Sequence, residues 1–277
     1  MTILPHVLGI GAQKAGTSWL HENLKQNKSL WMPPFKEIHF FDHKFVPPNR
    51  TWTDWHLNNG LERARETWKK QGILNQKRLD WLYEVTSKPR FNGNWYKKIF
   101  SLCPEDRLPV DITPEYSSIP KEGINFVARF LGADFKAIYV IREPVERALS
   151  QLRMNLRRKK LSPKSRDEWL GMAMDDQVME RGDYLSHVAR WQKERPAETL
   201  LFIPFGQIAR APHEVMRQVE EFIGVPTANY DNLERKVYAT SDFQIPDYVR
   251  EALEERLQPQ VAFIKDRFGA EFYEKSR

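Results

Sequence analysis

At 277 residues the chain is long enough for one large α/β domain or two small ones, and 41% hydrophobic residues, with 16 Phe and 9 Trp, supply a sizeable core. A single cysteine, Cys103, excludes an intrachain disulfide and a cysteine-rich metal site. The net charge of +6 favours anionic ligands without selecting nucleic acid, and no apolar run approaches the ~20 residues that a membrane span needs.

The first six residues carry no basic-then-apolar leader pattern and run directly into an apolar stretch. A soluble chain of a reducing compartment, the cytoplasm, is therefore expected. Residues 7–10 read as a buried strand. Gly11 and Gly16 bracket a turn, and Thr17 and Ser18 open a helix whose apolar residues, Leu20 and Leu24, recur at helical spacing. A strand–glycine loop–helix points backbone N–H groups and the positive end of a helix dipole at one spot, which makes an anion site. The glycine spacing is that of a phosphate-cradling loop, but Thr17 stands where such a loop has lysine, and Lys14 lies inside the loop instead. In ATP- and GTP-using loops that lysine reaches the terminal phosphates and the next hydroxyl holds Mg²⁺. The arrangement here suits, without a metal, a donor whose transferred group carries less charge, such as a sulfuryl group. The plain alternative is a turn whose glycines serve only the turn.

Residues 30–32 form a short apolar run that Pro33 and Pro34 close. In the following stretch Glu37 stands among Phe35, Phe40 and Phe41. Partial desolvation there is expected to raise its carboxyl toward a range useful for a general base. The alternative is an exposed carboxylate on a loop. Residues 50–105, with Trp52, Trp55, Trp68, Trp81 and Trp95, read as a helical insert. Residues 108–112 read as a strand with a polar loop, 113–118, at its end, where an open parallel sheet keeps its ligand crevice. A helix is expected over 122–131 and a buried strand over 136–141, ending at Arg142-Glu143-Pro144, a helix-start signature. Arg142 and Ser150 lie about two helical turns apart. Both can bind one phosphate, or the arginine can pair with Glu143 or Glu146. The basic run 153–166 can grip an anionic polymer or be a solvated helix end, and 153–196 reads as a helical segment on the acceptor side. Residues 199–205 read as the last core strand. Val249, Leu253, Leu257, Val261, Ile264 and Phe268 make an apolar stripe on one long terminal helix. The alternation predicts an α/β fold over residues 1–277 as one domain: a doubly wound, mainly parallel sheet flanked by helices.

Three blocks, taken together and in order, resemble the sulfotransferase family, whose enzymes use 3′-phosphoadenosine 5′-phosphosulfate (PAPS) and release the 3′,5′-bisphosphate (PAP). They are Gln13-Lys14-Ala15-Gly16-Thr17-Ser18-Trp19-Leu20, Lys36-Glu37-Ile38-His39-Phe40-Phe41-Asp42 and Ile141-Arg142-Glu143-Pro144-Val145-Glu146-Arg147-Ala148-Leu149-Ser150. The likeness is closest to the branch that modifies carbohydrates, and it implies a P-loop-like three-layer fold. It also implies that Lys14, Ala15, Gly16, Thr17 and Ser18 hold the 5′-phosphosulfate, with Trp19 closing the loop, and that Arg142 and Ser150 bind the 3′-phosphate. Glu37 corresponds to the catalytic base and His39 is the second candidate; Lys14 is expected to neutralise the leaving oxygen. The stretch 235–241 resembles a loop over the nucleotide, with Lys236 as a phosphate contact. The chain departs from that branch at Ile112, where the branch often carries lysine. The expected partner is a hydroxyl acceptor, a carbohydrate, neutral or anionic, with no metal, no nucleic acid and no membrane span. Two other readings are a kinase or NTPase acting on a small molecule, with Asp111 imitating its Mg²⁺ acid, and a nucleic-acid binder, for which no motif is present.

Overall fold

The computed structural model describes residues 4–235 and 243–277. Among these residues five strands, β1 (Val7–Gly11), β2 (Leu30–Trp31), β3 (Leu108–Ile112), β4 (Lys136–Ile141) and β5 (Leu200–Pro204), form one sheet in the order β2-β3-β1-β4-β5. Every pairing is parallel. β1 and β4 are near-continuous apolar runs, the pattern of strands covered on both faces. The chain leaves β1 for β2 and β3 on one side and returns to β4 on the other, so the strand order reverses at β1 and a crevice opens at the strand ends beside it. Gly9 is required by close approach: a Cβ there would lie 2.9 Å from Ile112 Cγ2 on the neighbouring strand.

Helices connect the strands. α1 (Thr17–Leu24) follows β1, and α2 (Phe40–Phe45), α3 (Arg50–Lys70), α4 (Gln76–Thr86) and α5 (Gly93–Ile99) separate β2 from β3. The tryptophans of this stretch divide between core and surface. Trp81 and Trp95 are buried and donate their indole N–H groups to the carbonyls of Lys98 and Val85, whereas Trp55 is 69% exposed. Phe40 stacks on Tyr96 at 4.6 Å, and Phe41 meets Tyr116 edge-on at 5.0 Å. These rings anchor α2 beneath the crevice.

Between β3 and β4 lies α6 (Lys121–Leu131). α7 (Pro144–Lys159) follows β4 and is capped by Glu143, whose carboxylate accepts from the N–H groups of Val145 and Glu146. α8 (Arg166–Ala173), α9 (Asp176–Glu180) and α10 (Tyr184–Glu194) lead to β5, and α11 (Gln207–Arg210) and α12 (Pro212–Ile223) follow it. The terminal stripe differs from expectation. It is carried by two helices, α13 (Asp247–Arg256) and α14 (Gln258–Phe268), with α15 (Ala270–Lys275) behind them. Pro259 lacks an N–H and starts a new helix rather than continuing the old one. The stripe splits accordingly: Val249, Leu253 and Leu257 pack with Val145 and Leu149 of α7, while Ile264 joins the main core.

Phe40 is 1% exposed and wedged among Tyr96, Phe41 and Phe130. Phe40→Ala should lower the unfolding free energy by about 3–5 kcal/mol, read from urea denaturation.

Candidate active site

The loop from Ala12 to Gly16 is built by backbone contacts. The Ala12 N–H donates to the Val140 carbonyl at 2.9 Å, Lys14 sits at φ 69°, and Gly16 at φ 86° is the N-cap of α1. Gly16 makes no side-chain cap, so the first N–H groups of α1 are left for a ligand. Arg142 leaves the end of β4, donates from Nη1 to the Lys14 carbonyl at 3.1 Å and lies over the Phe205 ring at 4.5 Å. Its Nη2 is 3.9 Å from Glu146, a long contact that leaves the guanidinium free for a further partner. Ser150 is buried along α7. The Lys14 ammonium is pushed down to about 8 by burial, and then by the charges of Arg158, Arg142, Arg157 and Arg147. Part of the basic run therefore acts on this loop, although Arg157 and Arg158 are themselves exposed. Trp19 donates its indole N–H to the Leu233 carbonyl at 2.7 Å. Lys236 lies outside the described residues.

Across the crevice, four side chains form a row of alternating charge. Lys36 Nζ lies 3.2 Å from Glu37 Oε1, Glu37 Oε2 is 3.3 Å from His39 Nε2, and His39 Nδ1 is 3.1 Å from Asp42 Oδ2. Asn49 donates to Asp42 Oδ2 at 2.9 Å, and the His56 ring stands edge-on to His39 at 4.7 Å. Lys36 Nζ also donates to the hydroxyls of Thr17 and Ser18, both at 3.3 Å, which joins this row to the start of α1. The expectation of a raised Glu37 carboxyl is corrected. Burial opposes its charge, but Lys36, His39 and His56 together outweigh burial and hold the carboxyl well below the usual carboxylate range. Nor is it an exposed surface glutamate, since its side chain is 18% exposed. Burial likewise opposes the charge on His39, yet Asp42 and Glu37 raise it well above its ordinary 6.5. Donor atoms of Glu37, His39 and His56 lie within 4.8 Å of one another, a spacing that suits a metal ion, but the Lys36 ammonium on the same carboxylate opposes a second cation.

Residues that sequence reasoning missed complete the crevice. Glu115, in the loop after β3, is buried and accepts from Gln13 Nε2 at 2.7 Å; Arg181 Nη1 donates to Gln13 Oε1 at 2.7 Å. Burial first, and then the Glu37 charge, push the Glu115 carboxyl up to about 7. A narrow cleft, partly open to solvent, lies here, lined by Gln13, Asn49, Glu115, Ser117, Arg181 and His187 among others. The polar loop at a strand end signalled the place, but the partners of Glu115 lie 102 and 66 residues away in sequence (115 − 13 and 181 − 115). Asp111 is not available as a Mg²⁺ ligand, because the hydroxyls of Tyr96, Tyr116 and Thr113 occupy its carboxylate at 2.8–2.9 Å.

Residues 5–229 match the description "Sulfotransferase family". The chain is 22% identical over 232 residues to human heparan sulfate glucosamine 3-O-sulfotransferase 5, covering 80% of this chain and 54% of that protein. It is 24% identical over 137 residues to mouse heparan sulfate glucosamine 3-O-sulfotransferase 3A1, covering 47% of this chain and 34% of that protein. At its fullest match the chain thus spans about half the length of such a relative. Among solved structures, a sulfotransferase from Alicyclobacillus acidocaldarius superposes with TM-score 0.66 at 21% identity, covering 95% of this chain and 94% of that one. The sulfotransferase domain from the curacin biosynthetic pathway gives 0.55 at 16% identity, covering 92% and 98%. At these identities the superpositions show the shared fold. Among the described residues, no helix is long and apolar enough to cross a membrane.

Because His39 is raised in the folded state, its stabilising contribution is fully present below its ordinary 6.5 and is lost as pH rises through the raised value. Asp42→Asn should lower the His39 pKa, read from its imidazole NMR shifts, and the urea midpoint should fall more below pH 6.5 than in the alkaline range.

Proposed function

The chain belongs to the sulfotransferase family, and on that premise we propose that it moves a sulfuryl group from PAPS to an acceptor hydroxyl on a carbohydrate. One observation carries the reading. An ionised, largely buried carboxylate, Glu37, stands one lysine away from the hydroxyls that open α1, so a base adjoins an anion site. The loop from Lys14 to Ser18 has the free N–H groups and the cation to hold the phosphosulfate, and Trp19 fixes α1 against the segment that precedes Lys236. Arg142 and Ser150 take the 3′-phosphate. Positive charge for the departing phosphate oxygen comes from Lys14 and its arginine neighbours, with no call for a metal.

Chemistry follows from placement. The acceptor oxygen attacks sulfur in line with the leaving oxygen, and the transition state is loose by analogy with phosphoryl transfer, so positioning and charge stabilisation supply most of the acceleration. Glu37 takes the hydroxyl proton. His39 is the weaker candidate, because an imidazole that keeps its proton between Glu37 and Asp42 has no lone pair to offer. The acceptor enters over the cleft at Gln13, Asn49, Glu115 and Arg181, which offers both hydrogen-bond donors and acceptors to sugar hydroxyls. The names of the relatives favour a carbohydrate, and the arginines beside the crevice leave room for one that carries negative charge.

Glu37→Gln should reduce transfer from radiolabelled PAPS to a carbohydrate panel by about 10²–10⁴-fold, while calorimetric binding of PAP stays unchanged. Full activity in Glu37→Gln, or thermal stabilisation by ATP with Mg²⁺ but not by PAP, would overturn the reading.

A further inference from the structure

Two lysines flank the start of α1, and they face different neighbours. Lys14 is tied through its carbonyl to Arg142, and its ammonium lies in the field of four arginines on and before α7. Lys36 reaches the other side. Its Nζ contacts Thr17 Oγ1 and Ser18 Oγ at 3.3 Å each and Glu37 Oε1 at 3.2 Å. His21, Glu37, Asp111 and Ile112 are its close-packed neighbours there. None of these offers a second fixed positive charge. The Ile112 side chain is apolar and pressed over Gly9. Asp111 is occupied by three hydroxyls, and burial lowers His21 below its ordinary 6.5, favouring the neutral ring. Among the described residues, the ammonium of Lys36 is thus the cation that spans the interval between the loop hydroxyls and the base.

Resting on the donor reading above, we propose that Lys36 is a catalytic residue that grips the sulfuryl group itself, whereas Lys14 and Arg142 hold the phosphates. When the donor occupies the loop, the N–H bonds that Lys36 gives to Thr17 and Ser18 are exchanged for bonds to sulfuryl oxygens. The acceptor oxygen then forms its bond to sulfur as its proton passes to Glu37. The bond between sulfur and the bridging oxygen breaks, and its electron pair leaves on the phosphate of PAP. Nothing is oxidised or reduced. Lys36 holds the migrating group and Glu37 together throughout, which fixes the in-line approach.

PAPS and PAP differ only by the sulfuryl group, so a contact to that group appears in the ratio of their affinities. The full chain, Lys36→Met and Lys36→Arg are titrated calorimetrically with each nucleotide in the absence of acceptor. Lys36→Met should weaken PAPS by roughly tenfold or more, the loss of a charge-assisted hydrogen bond, and leave PAP unchanged. Lys36→Arg should recover part of the PAPS affinity. Lys14→Met should weaken both nucleotides. Equal losses for PAPS and PAP in Lys36→Met, or no loss, would overturn the assignment. If Lys36→Met does not fold, Lys36→Gln is titrated against the same two outcomes. Binding of neither nucleotide by the unaltered chain rejects the donor reading and this inference with it. Binding of both, with an unaltered ratio in the Lys36 variants, rejects this inference alone.

Discussion

A carboxylate shielded from water keeps its charge only if cations stand close to it, and Glu37 has one on each oxygen. Lys36 and His39 lie 3.2 and 3.3 Å away, and Asp42 balances His39 from behind. Such a row costs desolvation for every member, and its attraction repays that only while all members are present. Removing one leaves a neighbour charged and alone, which is the expensive state. The surrounding rings maintain the shielding: Trp52 and His56 each meet His39 at 4.7 Å, and Phe40 and Phe41 seal α2 against the core.

The row is held in place by the ends of the parallel strands. The loop after β1 carries Gln13, Lys14, Thr17 and Ser18; the segment after β2 carries Lys36, Glu37 and His39; the loop after β3 carries Thr113 and Glu115; and β4 ends at Arg142. Single hydrogen bonds lace these segments together. Lys36 reaches Thr17, the Ile38 N–H donates to Thr113 Oγ1, Gln13 donates to Glu115, and Arg142 donates to the Lys14 carbonyl. Each segment is thus oriented by the next, and the sheet supplies the rigid spacing that separate loops lack.

Much of this was readable in the residues. Buried parallel strands are continuous apolar runs, so residues 7–10 and 136–141 identify themselves, and glycines at 11 and 16 mark the turn between strand and helix. The charge state of Glu37 was not. The sequence shows Phe35, Phe40 and Phe41 beside it as plainly as Lys36 and His39, but not which of them face the carboxylate. In the fold Phe40 and Phe41 turn toward Tyr96 and Phe126, and the two cations take the polar side. Glu115 was hidden for a different reason, since Gln13 and Arg181 approach it only through the sheet and the turn before α10. The terminal stripe reads as one helix in the sequence but forms two in the fold, because apolar periodicity continues across Pro259 while the hydrogen-bond ladder does not.

Two carboxyl groups face the crevice, and their surroundings drive them apart: Glu37 far down, Glu115 up to about 7. Brønsted reasoning alone favours Glu115 as the base, because a catalytic pKa near the working pH is the efficient one. Geometry ranks first, however. Glu115 is tied through Oε1 to Gln13 and Arg181, with Oε2 buried and unpaired, whereas Glu37 adjoins the cation that touches the start of α1. The low value of Glu37 also belongs to the chain without its donor. If sulfuryl oxygens replace Thr17 and Ser18 as partners of Lys36, that ammonium divides its charge between donor and base, and the negative donor adds its own field. Both changes raise the proton affinity of Glu37 at the moment an acceptor hydroxyl needs a base. Among the described residues the cation beside Glu115 is Arg181, which reaches Gln13 rather than Thr17 or Ser18, so Glu115 gains no comparable adjustment.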